Sequence, residues 1–386
     1  PKEPYTWGNQ IRATLFNSWV NVLLIAVPVG FALNYAGIDG KIVFAVNFVA
    51  IIPLAALLSY GTEEVALRTG ETIGGLINAT FGNAVELIVA IEALAQNKVE
   101  VVKTSLIGSI LSNLLLVLGM CFFFGGIGRQ VQYFNKTVAQ TAASLLALAV
   151  ASNIIPTVFA QHASEDETNG AAVDNADVAA LSRGTSVILL VVYGAYLLFQ
   201  LKTHIEVFNE PSQKHNDQAL AGLHRHDMSD EEEEEEELAT LSGWVACLTL
   251  FLSTVLVAFC AEFMVNGIEP ITEAGVSVEF VGLILLPIVG NAAEHVTAVT
   301  VAIKDKMDLA IGVAVGSSMQ VSLFLIPLLV IIGWGMGIED MNLSFDTFQV
   351  AVVFVTVLLV NYLIADGESH WLEGFLLICL YFIIAV

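Results

Sequence analysis

Two short runs carry the residues whose chemistry stands out. GNAVE occupies positions 82–86, and GNAAE occupies 290–294, 208 residues further on. Each run sets a carboxylate three residues after a carboxamide: Glu86 after Asn83, and Glu294 after Asn291. Residues three apart share one face of a helix, so each run presents an amide oxygen beside an acid. The next apolar stretch in each half adds Ser109 and Ser112 in one case, Ser317 and Gln320 in the other. Carboxylate, amide and hydroxyl oxygens make a hard, anionic donor set that suits Ca²⁺ rather than a soft metal. Two carboxylates close together in an apolar medium also hold protons more tightly than they would in water. Cation and protons are therefore expected to compete for the same groups.

The surroundings of those runs explain why the acids need a purpose. The chain has 386 residues, of which 56% are hydrophobic and 13% charged. A soluble domain carries about twice that charged fraction. The apolar residues fall in blocks of about 20, the length that crosses a bilayer core. Eleven spans are expected, near 18–36, 41–60, 71–96, 104–128, 137–160, 182–201, 241–265, 278–303, 308–332, 345–365 and 370–386. They are apolar all round and show no two-residue alternation, which predicts an all-α polytopic membrane protein rather than a β-barrel. One transmembrane domain is expected over 1–386. Cys121, Cys247, Cys260 and Cys379 all lie in apolar runs and read as small hydrophobes. The chain starts at Pro1 rather than Met, so a trimmed start is expected.

Glu86 lies roughly 22 Å into its span at 1.5 Å rise per residue. An ionised carboxylate at that depth costs several kcal/mol unless it is paired, hydrated or protonated. Gly82, Gly290 and Pro287 are expected to kink or open their helices and free carbonyl oxygens.

The 208-residue offset extends beyond the two acids. It also matches Glu71 with Glu279, Gly74 with Gly282, Ala90 with Ala298, Lys98 with Lys306, and Gly108-Ser109 with Gly316-Ser317, without a gap. After an extra first helix at 18–36, the spans divide into two sets of five, 41–201 and 241–386. An odd number per set predicts that the two repeats are inverted in the membrane, bringing both acids to their interface. Ten of the 14 Lys and Arg residues fall on the side of the N-terminus. By the positive-inside rule that side is cytosolic and the C-terminus lies opposite.

Other polar residues weigh less. Glu63, Glu64 and Glu262 lie at span ends, where exposed charge is ordinary; Glu63 and Glu262 are also candidates for a proton path. His295 adjoins Glu294 but points about 100° away around the helix, so a local hydrogen bond is as good a reading as a proton relay. The loop at 203–240 is expected on the cytosolic side and holds the run Glu231, Glu232, Glu233, Glu234, Glu235, Glu236 and Glu237. That run is either a solvated acidic stretch or a regulatory Ca²⁺ site.

GNAVE with GSILSN at 108–113, and GNAAE with GSSMQ at 316–320, resemble the paired signature repeats of the cation/Ca²⁺ exchanger superfamily. The acidic segment between halves, the extra first helix and the HVT after the second motif resemble its Ca²⁺/H⁺ exchanger branch, in the form found in fungal vacuoles. The resemblance implies a secondary antiporter of the vacuolar membrane, not an enzyme. Ca²⁺ is then substrate rather than cofactor, and the partners are Ca²⁺, H⁺ and the lipid bilayer, with no nucleic acid. It further implies that Glu86 and Glu294 exchange the ion, that Asn83, Asn291, Ser109, Ser317 and Gln320 line the site, and that Glu231–Glu237 lie near the cytosolic entrance.

Three alternatives carry distinct marks. A Na⁺/Ca²⁺ exchanger, or a carrier of Mn²⁺, would differ only in the ions. A Ca²⁺-gated channel would line one continuous pore with both repeats. An intramembrane metalloenzyme would need HExxH or GxSxG, and neither occurs; no P-loop occurs either.

Overall fold

The computed structural model describes residues 5–165, 175–205, 207 and 239–386. Glu231–Glu237 fall outside the described residues. The described residues are helical apart from turns and one short strand pair. Among the described residues six helices are each long and apolar enough to cross a membrane: α3 (Gly40–Thr69), α6 (Val99–Gly126), α7 (Lys136–Gln161), α8 (Ala176–Thr203), α9 (Gly243–Glu273) and α12 (Met307–Met336). Three more spans arise only if bent pairs are joined. These are α1 (Trp7–Phe16) with α2 (Trp19–Tyr35), α4 (Glu71–Phe81) with α5 (Ala84–Ala95), and α10 (Val278–Gly290) with α11 (Ala292–Ile303). Two shorter apolar helices follow, α13 (Thr347–Leu363) and α14 (Trp371–Ala385).

The expected span at 18–36 is present as the helix Trp19–Tyr35. Its apolar run is preceded by α1, and the chain turns by 96° between the two. Ser18 caps the second piece by accepting from the Val20 N–H, and the buried Asn21 amide donates to the carbonyls of Thr14 and Leu15. A side-chain amide thus satisfies carbonyls that the bend leaves without helical partners.

Helix ends follow their residues. Asp39, Asp346 and His370 accept from the first-turn N–H groups of α3, α13 and α14. Gly337 ends α12 in the left-handed region at φ 76°. Among the described residues only two non-glycine residues take a positive φ: Asn97 (58°) and Asp305 (64°). They lie 208 residues apart, at the tight turns α5–α6 and α11–α12. The same costly backbone conformation therefore recurs at the same register.

The most enclosed helices are α6 and α12, whose apolar windows are 83% and 67% buried against 17% for α8. Each contains one π-helical turn, Ser112–Val117 and Val321–Leu325. The two turns end one repeat distance apart, and they begin at Ser112 in one half and directly after Gln320, its offset mate, in the other; π-turns often occur at functional positions. On the outside, Trp244, Ile188, Val191, Phe251, Leu358 and Ile383 point away from the protein. Apolar side chains on that scale facing outward suit hydrocarbon rather than water. A two-residue antiparallel pair, β1 (Gln132–Tyr133) with β2 (Glu368–Ser369), joins the α6–α7 connection to the start of α14. Arg129 and Gln132 complete this clasp by bonding the end of α11 and Asp305.

Candidate functional site

Both GNAxE runs are breaks in a helix. Helix α4 ends at Phe81, α5 starts at Ala84, and the axis bends by 42° across Gly82 and Asn83. Helix α10 ends at Gly290, α11 starts at Ala292, and the bend is 59°. The kinks expected from the glycines are present, and the two asparagines sit on them. Each glutamate lies in the first turn of the helix that follows, close to N–H groups that have no helical acceptor.

The asparagines bond across the protein, not within their own half. The Ser317 hydroxyl donates to Asn83 Oδ1 at 2.8 Å. The mate of that pair by the 208-residue offset is Ser109 with Asn291. There the Asn291 amide donates to Ser109 at 3.2 Å, with Ser109 Oγ 3.4 Å from Asn291 Oδ1. Both pairs are buried. The Asn83 amide also donates to Gln320 Oε1 at 2.7 Å. Ser317 lies 3.3 Å from Glu294 Oε1 and accepts from the Asn113 amide at 3.1 Å.

The carboxylates are less satisfied than these neighbours. Both oxygens of Glu86 and Oε2 of Glu294 are buried without a hydrogen-bond partner among the described residues. Unpartnered buried carboxylate oxygens are costly, and they mark where a cation or a proton belongs. Glu86 packs against the other motif: its carboxyl carbon lies 3.2 Å from where a Cβ on Gly290 would be, so any larger residue there would press on the acid. The two carboxylates are within electrostatic reach of each other. Among the described residues no three His, Cys, Asp or Glu side chains gather as a metal cage. Further ligands would have to be amide, hydroxyl or carbonyl oxygens, which is a hard-cation set.

The two acids face different spaces. Glu294 lines a cavity of about 390 Å³, together with Ser317, Gln320, Asn78, Ser59, Glu63 and Gln200. That space admits a hydrated cation. Glu86 instead borders a void of about 20 Å³ among Ser105, Leu106, Leu286 and Pro287. Beyond this void lies a third space of about 890 Å³ on the opposite face, lined by Lys103, Thr104, Glu279, Leu283, Asp340 and Asp346. Lys103 is held there by Asn342 Oδ1 and the Ser344 carbonyl, both at 2.8 Å.

Of the residues singled out in the sequence, Asn83, Glu86, Ser109, Asn291, Glu294, Ser317 and Gln320 come together. Ser112 is fully buried at the start of the π-turn and takes no part in the asparagine–serine pairs. Glu63 lies on the cavity wall and also borders a second space of about 340 Å³ that reaches Asn17 and Ser18 at the α1–α2 bend. Glu262 is different: it is exposed on α9 and lines neither space. His295 keeps to the local bond, its Nδ1 2.7 Å from the Asn291 carbonyl oxygen, with Nε2 buried and without a partner among the described residues.

Two residues escaped the sequence reading. Asn113 stood inside GSILSN, but its offset mate is Val321, so the repeat drew no attention to it. Glu64 looked like an exposed helix-end charge and is buried. It accepts from the Thr240 N–H at 2.8 Å, the Thr240 hydroxyl at 2.6 Å and the Leu241 N–H at 3.0 Å, with Arg68 3.7 Å away. Tyr60 bonds Thr240 as well. No pattern within α3 could show that its partners come from a segment about 180 residues later.

Comparison with known proteins gives the family and the fold. The family model described as sodium/calcium exchanger protein matches residues 40–202 and 245–386. The chain is 45% identical over 376 residues to the vacuolar calcium ion transporter of Schizosaccharomyces pombe, covering 97% of this chain and 85% of that one. It is 41% identical over 365 residues to the Ca²⁺/H⁺ antiporter of Aphanothece halophytica, covering 94% of each. Among solved structures, native YfkE shares the fold with a TM-score of 0.76 at 34% identity, over 95% of this chain and 98% of that chain.

Proposed function

This chain belongs to the sodium/calcium exchanger protein family, and within it we propose that the protein is a secondary Ca²⁺/H⁺ antiporter working by alternating access. The observation that carries the reading is the polar centre. Two offset-related asparagine–serine pairs bridge the halves and surround two carboxylates that keep unpartnered, buried oxygens. The vacuolar calcium transporter and Ca²⁺/H⁺ antiporter among its relatives support the choice of ions.

The steps follow from charge. Ca²⁺ arrives through the cavity beside Glu63 and meets Glu294 first, because Glu294 lines that cavity and Glu86 does not. Coordination by Glu294 and Glu86, with Asn83, Asn291, Ser109, Ser317 and Gln320 around them, neutralises the pair. A neutralised centre can be carried through the membrane interior, whereas two bare carboxylates there are costly. After Ca²⁺ leaves on the far face, protons take its place and permit the return. Ser317 tunes this exchange. It has one hydrogen, Asn113 occupies its acceptor side, and the hydrogen therefore serves either Asn83 Oδ1 or Glu294 Oε1.

The wider reading keeps eleven spans, formed by an extra N-terminal helix and two inverted five-helix repeats. The membrane is that of an acidic vacuole, with the Glu63 face and the N-terminus cytosolic and the C-terminus lumenal. The transporter character replaces any hydrolytic role. Glu231–Glu237 act as a regulatory Ca²⁺ site on the cytosolic side. Sodium and Mn²⁺ remain the alternative ions, since the family model covers sodium-coupled exchange by its description. Uptake of Ca²⁺ into sodium-free proteoliposomes under an imposed pH gradient tests the proton coupling, and loss of uptake without sodium would favour the sodium-coupled reading.

A further inference from the structure

The 208-residue offset pairs glycines that now have opposite surroundings. Gly108 on α6 lies so close to α10 that an added Cβ would collide with the backbone of Leu283, 2.7 Å from its Cα. Gly282, beside Leu283, would place a Cβ 2.8 Å from Thr104 Cβ. Helix α6 and the first turns of α10 therefore meet backbone to backbone. This contact stands between the small void at Glu86 and the large space lined by Lys103, Thr104 and Leu283. It closes that side.

The offset mates of these four residues are Gly316 for Gly108, Gly75 for Leu283, Gly74 for Gly282 and Gly312 for Thr104. Here the same contact is absent. Among the described residues nothing lies within 4 Å of a Cβ added to Gly316 or to Gly312. Gly75 and Gly312 instead line the cavity that holds Glu294. Helix α4 leans the other way: a Cβ on Gly74 would sit 2.7 Å from the Ala66 carbonyl oxygen of α3, and Leu201 at the end of α8 covers Gly75. All four mates are glycine, although a helix that faced only an open cavity would gain from larger residues. Glycine inside a helix costs about 1 kcal/mol against alanine.

We propose that Gly74, Gly75, Gly312 and Gly316 are the second gate of the transporter: α4 closes on α12 through them, in the packing that Gly108, Thr104, Gly282 and Leu283 now show, while that first contact opens. The closure seals the Glu294 cavity, requires Leu201 to leave Gly75, and exposes Glu86 to the Lys103 face. This rests on the antiporter reading and adds the residues that make the two states exclusive.

The test uses the full chain in proteoliposomes, with Gly316→Ala as the first variant. In the present state its methyl group meets nothing, so equilibrium binding of radioactive Ca²⁺ stays within about 3-fold of the parent, under 1 kcal/mol. In the closed state the same methyl group meets backbone at Gly75, so pH-driven Ca²⁺ uptake falls by about 10- to 100-fold, the range typical of overpacking. Gly312→Ala, which adds only a methyl group, is the second variant and gives the same split. Uptake at the parent rate by either variant overturns the proposal. Should a variant lose binding as well as uptake, labelling decides. In a background with the four native cysteines replaced, Asn78→Cys reports on the cavity. Its reaction with a water-soluble maleimide falls when the parent is driven towards the Lys103 face, and stays high with Gly316→Ala. Equal protection in both overturns the gate. Absence of uptake in the parent counts against the antiporter reading, and the labelling still judges the gate.

Discussion

The hydroxyl of Ser317 donates to Asn83 Oδ1 at 2.8 Å across 234 residues of sequence. One end of that bond lies on the break between α4 and α5, the other on α12, and the same hydroxyl reaches Glu294 at 3.3 Å. Its offset mate, Ser109 with Asn291, is longer and reaches no carboxylate. The two halves therefore build one centre from the same residue types but do not use them alike.

Ser317→Ala should be the more damaging of the two serine changes. It removes a hydrogen bond to Glu294 and leaves Asn83 Oδ1 and the Asn113 amide without a partner. An unsatisfied buried group costs about 1–3 kcal/mol, so the KM for Ca²⁺ should rise roughly 10-fold or more. Ser109→Ala should raise it less. Initial-rate uptake across a Ca²⁺ titration compares them, and equal KM values would contradict the asymmetry.

Glu86→Gln and Glu294→Gln should each abolish exchange while leaving the protein inserted and folded. Under the proposed exchange each removes a charge that Ca²⁺ needs and a proton site that the return step needs. Removing a buried charged ligand costs about 3 kcal/mol, or roughly 100-fold in rate. Uptake near the parent rate by either variant, with normal elution on size exclusion, would reject a shared site.

Lowering pH on the Ca²⁺-loading side should raise the KM for Ca²⁺ and leave the maximal rate at saturating Ca²⁺ nearly unchanged. The sign follows from competition: protons added to the carboxylates remove sites from Ca²⁺, and enough Ca²⁺ displaces them. A pH effect confined to the maximal rate would place the protons on a separate route.

Glu64→Ala should destabilise the protein by about 3 kcal/mol, the cost of breaking a buried charged network. Three donors at Thr240 and Leu241 lose their acceptor, and Arg68 loses its partner. Limited proteolysis should cut sooner near residue 240. Unchanged cleavage and melting would show that the anchor is redundant.

Much of the centre was legible because it is written twice. GNAxE and the GS pair recur at one offset, and the kinks, the cross-half pairs and the π-turns that follow the GS segments fall on that register. What occurs once was harder to see. Asn113 has Val321 as its mate, and Glu64 depends on a segment far along the chain. The 96° turn at Asn17–Ser18 also has no second copy, and hydropathy showed the span at 18–36 but not the helix α1 that precedes it. His295 and Glu262 show the converse: an ionisable residue near a motif or a span end carries no geometry of its own. Which side of the centre is open depends on helix packing and not on residue type, so the glycines at 74, 75, 312 and 316 drew little notice in the sequence.

The most direct measurement is simultaneous Ca²⁺ and proton flux in sodium-free proteoliposomes carrying the full chain, under an imposed pH gradient. Antiport requires Ca²⁺ to accumulate in the acidic compartment while protons leave it, both fluxes to vanish in Glu86→Gln and Glu294→Gln, and both to collapse with a protonophore. Ca²⁺ accumulation that ignores the pH gradient, or proton flux that persists in either glutamine variant, would contradict exchange at a site shared by Glu86 and Glu294.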